Sequence, residues 1–77
     1  MAKVLLFGPL RDLAGWRERD FEGVADLTAL MAQLDAELAA ALTGPGVQVA
    51  VDKAIVRGDA LLGPGSEVAF LPPMSGG

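Results

Sequence analysis

Gly76-Gly77 carry the clearest chemistry in this sequence. Glycine has no Cβ, so consecutive glycines pass through a channel that any larger residue would block. The carboxyl group of a terminal glycine is also unhindered to attack. Pro72-Pro73 stand just upstream and favour an extended exit from whatever precedes them. The segment from Pro72 to Gly77 reaches about 20 Å when extended, enough to enter a partner's active site. Ser75 has no base beside it in the tail and reads as a solvated hydroxyl. An ordinary frayed end is the competing explanation. The di-proline directly after an apolar strand, in a chain with little other chemistry, favours function. The glycines provide passage and an accessible carboxyl, but no catalytic power, so activation must come from another protein.

The remaining inventory narrows the choice. The 77-residue chain contains no Cys, no His and no Tyr. Thiol nucleophiles, imidazole bases and ordinary zinc ligands are therefore missing. A net charge of −4 with six Lys plus Arg argues against binding a phosphate backbone, so no nucleic acid is expected. No apolar run approaches the roughly 18 residues of a membrane span. Val4 to Phe7 is too short for a signal-peptide core. Without cysteine there is no disulfide framework, and the cytoplasm is the expected compartment. Arg57-Gly58-Asp59 spells an adhesion tripeptide but reads as a strand-ending turn. Gly44-Pro45-Gly46 precedes a strand instead of a helix, so it is no phosphate loop. Asp35 and Glu37 lie two apart on a helix and point in different directions. A carrier or binding module fits better than a self-contained enzyme.

The elements that must position the tail follow from local patterns. At 52% hydrophobic and 21% charged, the chain has the composition of one small globular domain over residues 1–77, with 72–77 as a flexible tail. Lys3 to Phe7 reads as a strand, broken by Gly8-Pro9. Leu10 to Ala14 forms one helical turn ended by Gly15. Trp16 to Phe21, with its charges, suits an edge strand. Val24, Leu27, Leu30 or Met31, Leu34, Leu38 and Leu42 recur at spacings of three and four. That stripe predicts one helix over about 24–42, with Gly23 as its N-cap. Thr43 to Gly46 stops it. Val47 to Val51 reads as a strand, Asp52-Lys53 as a turn and Ala54 to Arg57 as the returning strand. Gly63-Pro64-Gly65-Ser66 fits a type II turn. Glu67 to Leu71 is the last strand, ended by Pro72-Pro73.

This order predicts an α+β fold with one main helix on one face of a mixed sheet of four to five strands. The first and last strands belong in its centre. If Val4, Leu6, Val68 and Phe70 face the helix, alternation puts Leu5, Phe7, Ala69 and Leu71 on the other face. One helix cannot cover both faces. The outer patch, adjoined by Pro72 and Met74, is then an interaction site. With the phase reversed, these residues would be core.

Several blocks resemble a known family. They are Lys3-Val4-Leu5-Leu6-Phe7-Gly8, Leu10-Arg11-Asp12-Leu13-Ala14-Gly15, Val49-Ala50-Val51 and the run from Gly65 to Gly77. Over essentially its full length the chain resembles the MoaD-type small subunits of molybdopterin synthase, sulfur carriers with the β-grasp (ubiquitin-like) fold. Asp52 stands where that family usually has Asn, and both residues suit turns. The resemblance implies a role in molybdenum cofactor biosynthesis. An E1-like adenylating enzyme would use MgATP to place AMP on the Gly77 carboxylate, and a sulfur donor would convert it to a thiocarboxylate. The tail, including Gly76, would then enter a large catalytic subunit and give its sulfur to the pterin precursor. No bound cofactor is implied. Phe7, Leu71, Pro72, Pro73, Met74 and Ser75 fall in the family's docking region, with Arg11 as an added polar contact. Related carriers serve the thiazole of thiamine or thiolated tRNA bases. A non-covalent protein-binding module using only the apolar face is the alternative from another class.

Overall fold

The computed structural model describes residues 1–73. The expected tail residues Met74, Ser75, Gly76 and Gly77 lie outside the described residues.

The apolar first and last strands form the centre of the sheet. β1 (Ala2–Leu6) and β5 (Glu67–Leu71) run parallel, with Val4 opposite Val68 and Leu6 opposite Phe70. β2 (Glu18–Phe21) pairs antiparallel with β1 and forms one edge. β3 (Gln48–Val51) pairs antiparallel with β5, and β4 (Ala54–Val56) closes the other edge. The spatial order is β2-β1-β5-β3-β4, a mixed five-stranded sheet of β-grasp type. The charged edge expected around Trp16 to Phe21 is β2, shorter by its first two residues. Lys3 on β1 reaches Glu18 at 3.5 Å.

Turns follow the local chemistry. Asp52 and Lys53 both have positive φ, 49° and 72°, the conformation that a two-residue type I′ hairpin requires. Asp52 also accepts a hydrogen bond at Oδ1 from the Glu67 backbone N–H at 2.9 Å. Its carboxylate thereby ties the β3–β4 turn to the start of β5, so an acceptor oxygen is what this turn uses. At Gly63 to Ser66 the Ser66 N–H donates to the Gly63 carbonyl, closing the expected turn.

The single helix expected over 24–42 is two helices. α1 (Pro9–Ala14) is the early turn, ended by Gly15 in the left-handed region. α2 spans Leu27–Ala32 and α3 spans Ala36–Leu42. Two aspartates account for the change. Asp26, not Gly23, is the N-cap, with an extended backbone and Oδ1 accepting from the Ala29 N–H at 2.8 Å. Asp35 repeats the arrangement with the Leu38 N–H, also at 2.8 Å. A short acidic side chain favours the cap over the helix interior, so the chain breaks before Asp35 and starts again. The apolar stripe survives the break. Leu27, Leu30, Leu38 and Leu42 are buried, and Met31 and Leu34 pack against them.

These helices and the sheet enclose one core. Val4, Leu30, Leu42, Val68 and Phe70 are its largest fully buried side chains. The strand phase is the one in which Val4, Leu6, Val68 and Phe70 face the helices. Leu5, Ala69 and Leu71 accordingly take the opposite face, and Phe7 lies just beyond the end of β1.

Candidate functional site: the tail exit and the open sheet face

Sheet register builds the open face residue by residue. Leu5 on β1 lies opposite Ala69 on β5. Ala69 lies opposite Ala50 on β3, and Ala50 opposite Ile55 on β4. This row crosses four strands on the side away from the helices. Leu5 and Ala69 are half-buried, while Ile55 is 52% exposed. Ala50 is covered by its neighbours despite lying on the open face. Ala50 and Ile55 were not among the residues expected there. Their face follows from cross-strand register, which alternation within one short strand leaves undetermined.

A second row lies nearer the tail. Leu71 pairs with Gln48 across β5 and β3. Phe7 follows β1 directly beyond the Leu6–Phe70 pair, at the same end of the sheet as Leu71. Phe7 is 44% exposed, an unusual state for a large aromatic ring next to the central strands. Leu71 and Pro72 are half-buried, and Pro73 is exposed. The expected docking residues Phe7, Leu71, Pro72 and Pro73 therefore occupy one end of the sheet. Arg11 is exposed on α1, and its backbone N–H donates to the Gly8 carbonyl at 3.1 Å. It stands one helical turn from the Phe7–Gly8 corner.

The di-proline is seated between two glycines. A Cβ built on Gly8 would stand 3.3 Å from Pro72 Cγ. A Cβ on Gly46 would stand 2.9 Å from Pro73 Cβ and 3.1 Å from Pro73 Cγ. Both glycines have positive φ, 56° and 83°. In the sequence they read only as a strand breaker and a helix stop. Their common part in the tail exit is a tertiary contact, visible only when β1 and the α3–β3 loop are brought to the end of β5.

Other features of the described residues serve elsewhere. Asp59 of the Arg57-Gly58-Asp59 turn accepts at Oδ1 from the Thr28 N–H and at Oδ2 from the Thr28 hydroxyl, at 3.1 and 2.9 Å. The turn is thus pinned to the first turn of α2. The Thr28 hydroxyl, more than any other contact, holds the Asp59 carboxyl below the ordinary aspartate range. Arg19 lies over the rings of Phe21 and Trp16, 5.0 and 5.9 Å from their centroids, on the helix side of the β2 edge. A groove of about 580 Å³ runs between α2, α3 and the β3–β4 hairpin, lined by Met31, Val47, Val49 and Arg57 among others. None of the expected site residues lines it. Among the described residues no group of His, Cys, Asp or Glu is placed to hold a metal ion. No helix among them is long and apolar enough to cross a membrane.

The open sheet face leads directly into the glycine-flanked di-proline. The chain is 38% identical over 81 residues to the molybdopterin synthase sulfur carrier subunit of Escherichia coli (strain K12), covering all of both chains. Its fold is similar to the crystal structure of SAMP1 from Haloferax volcanii. The TM-score is 0.70 at 27% identity, over 99% of this chain and 98% of that one. The ThiS family matches residues 4–77, from the first strand to the Gly-Gly end, and the chain belongs to that family.

Proposed function

We propose that this protein is the sulfur carrier of a molybdopterin synthase. The observation that carries the reading is full-length similarity to a molybdopterin synthase sulfur carrier subunit, in a chain whose last strand leads through Pro72-Pro73 to Gly76-Gly77. The chemistry starts at a carboxylate, which resists nucleophiles because hydroxide or oxide is a poor leaving group. An E1-like enzyme brings MgATP, and the Gly77 carboxylate attacks the α-phosphorus with release of pyrophosphate. Hydrosulfide, freed from the donor protein by a thiol reductant, then adds to the acyl carbon, and AMP leaves with the C–O electron pair as the C–S bond forms and the proton goes to solvent. The product is a thiocarboxylate at Gly77. Its sulfur attacks a carbon of the pterin precursor inside the large catalytic subunit and displaces an oxygen substituent; water then cleaves the Gly77 C–S bond, leaving the sulfur on the pterin and returning the Gly77 carboxylate. A dithiolene holds two sulfurs, so two loaded carriers or two rounds complete it.

This chain's own share is docking and delivery. Phe7, Leu71, Pro72 and Pro73 form the contact surface at the tail end of the sheet, with Met74 and Ser75 continuing it and Arg11 adding a charge. Gly76 lets the terminus pass, and Gly77 bears the reacting carbon. The large subunit supplies the catalytic base and the cations for its anionic substrate. All of this takes place in the cytoplasm.

Deletion of Gly76-Gly77 tests the reading in a strain lacking its own molybdopterin synthase small subunit. The full chain restores molybdoenzyme activity and the truncated chain does not. Rescue by the truncated chain would mean that docking alone suffices, as for a non-covalent binding module. Rescue of a thiamine-thiazole or tRNA-thiolation defect, with none of the molybdoenzymes, would assign the carrier to another product.

A further inference from the structure

Pro72 and Pro73 are the groups that a Cβ added at Gly8 or Gly46 would meet. Gly46 is the tighter of the two. A Cβ there meets Pro73 Cβ at 2.9 Å, closer than real Cβ contacts come, and the obstacle is a stiff ring instead of a flexible side-chain tip. Gly8 is looser, at 3.3 Å from Pro72 Cγ. The contact is not a by-product of positive φ. Gly15, Gly23, Gly58 and Gly65 have φ of 73° to 82°, yet a Cβ on any of them meets nothing within 4 Å. At those sites the turn alone requires glycine. At Gly8 and Gly46 the turn and the neighbouring proline both do.

We infer that Gly46, assisted by Gly8, is a positioning residue that aims the tail: the cradle sets the direction in which the chain leaves Pro73. This inference rests on the sulfur-carrier reading. The sheet face fixes where the carrier docks, whereas the cradle fixes the point and direction at which the chain leaves the fold at Pro73. A rotation at Pro73 changes the direction from which the partner receives the chain end. Reactions between bound groups are sensitive to such shifts, since a displacement of about 1 Å can cost on the order of a hundredfold in rate.

The test uses full-length protein loaded chemically as the Gly77 thiocarboxylate, so that activation is bypassed, and the large synthase subunit with its pterin precursor. Docking affinity and the single-turnover rate of sulfur transfer are measured separately. Gly46→Ala is expected to slow transfer by about tenfold to a hundredfold with docking changed by less than about threefold. Gly8→Ala is expected to act in the same sense and less, because its contact is looser. Gly23→Ala is the control: at φ 73° with open space around it, it imposes the backbone strain alone. Its transfer rate is expected to match the unsubstituted protein. On a Pro73→Gly background, which removes the ring, Gly46→Ala is expected to cause no further slowing.

Equal transfer rates for Gly46→Ala and Gly23→Ala would overturn the inference, and so would an undiminished Gly46→Ala effect on the Pro73→Gly background. Should Gly46→Ala fail to fold, Gly8→Ala carries the test, since Gly8 is no part of the docking surface. Slower transfer than Gly23→Ala at retained docking supports the inference, and a rate equal to that of Gly23→Ala overturns it. If the unsubstituted loaded protein gives no transfer at all, the sulfur-carrier reading itself has failed, and this inference fails with it.

Discussion

Phe7 shows most directly how single side chains divide between stability and recognition. Phe7 is 44% exposed just beyond β1, although Leu6 and its cross-strand partner Phe70 are buried. Removing an exposed ring costs the fold little, within about 0.5 kcal/mol for a surface site. Removing an aromatic anchor from an interface costs more than about 1 kcal/mol of binding. Phe7→Ala is therefore expected to leave thermal unfolding nearly unchanged and to weaken docking to the large subunit, read by titration calorimetry. Asp59 illustrates the opposite case, a charged residue whose work is structural. Its carboxyl is held low chiefly by the Thr28 hydroxyl. A group with a depressed folded pKa stabilises the fold above its unfolded value, and the stabilisation is lost as pH falls through the folded value. Unfolding free energy is expected to decline below about pH 4, and Asp59→Asn to flatten part of that decline in denaturant titrations. The adhesion-like tripeptide containing Asp59 was legible as a turn. Its partner on α2 was not, because the contact joins residues 31 apart.

At the scale of elements, the apolar periodicity foretold which residues face the core but not where the helix breaks. The spacing from Leu30 to Leu34 to Leu38 runs straight through Asp35, so the pattern alone shows no interruption. What breaks the helix is the competition of an aspartate side chain for a backbone N–H three residues on. Asp35→Ala removes that cap and is expected to destabilise the protein by about 1 kcal/mol. For a domain of this size the loss lowers Tm by about 4 to 8 °C, measurable by differential scanning calorimetry. The strands were easier to read, since each is bounded by turn residues of defined chemistry. Gly63 to Ser66 forms the turn its residue types demand, and Asp52-Lys53 turn as expected although a lysine at φ 72° is uncommon. The tail exit was half legible. Pro72-Pro73 announced an end to the last strand, whereas the glycines that seat them lie at the far ends of β1 and α3 and carry no local sign of it.

The whole molecule is a sheet covered on one face and open on the other. Helices bury Val4, Val68 and Phe70, while Leu5, Ala69, Ala50 and Ile55 line the uncovered side. Strand alternation and the count of helices were enough to expect this asymmetry, because the helical residues available can cover only one face. The extent of the open face was not legible, since it depends on β3 and β4 register. If that face is the docking surface, association buries apolar area and must show a negative heat-capacity change. Calorimetry of the carrier with its large subunit at several temperatures is expected to give a binding enthalpy that becomes more negative on warming.

As proposed, Gly77 is the residue that carries sulfur. Intact-protein mass spectrometry after incubation with the activating enzyme, MgATP and a sulfur donor tests it most directly, with the chain lacking Gly76-Gly77 alongside. The expected result is replacement of one oxygen by one sulfur, localised by fragmentation to Gly77 and absent from the truncated chain. An unchanged mass, under conditions that load the Escherichia coli sulfur carrier subunit, would contradict the account.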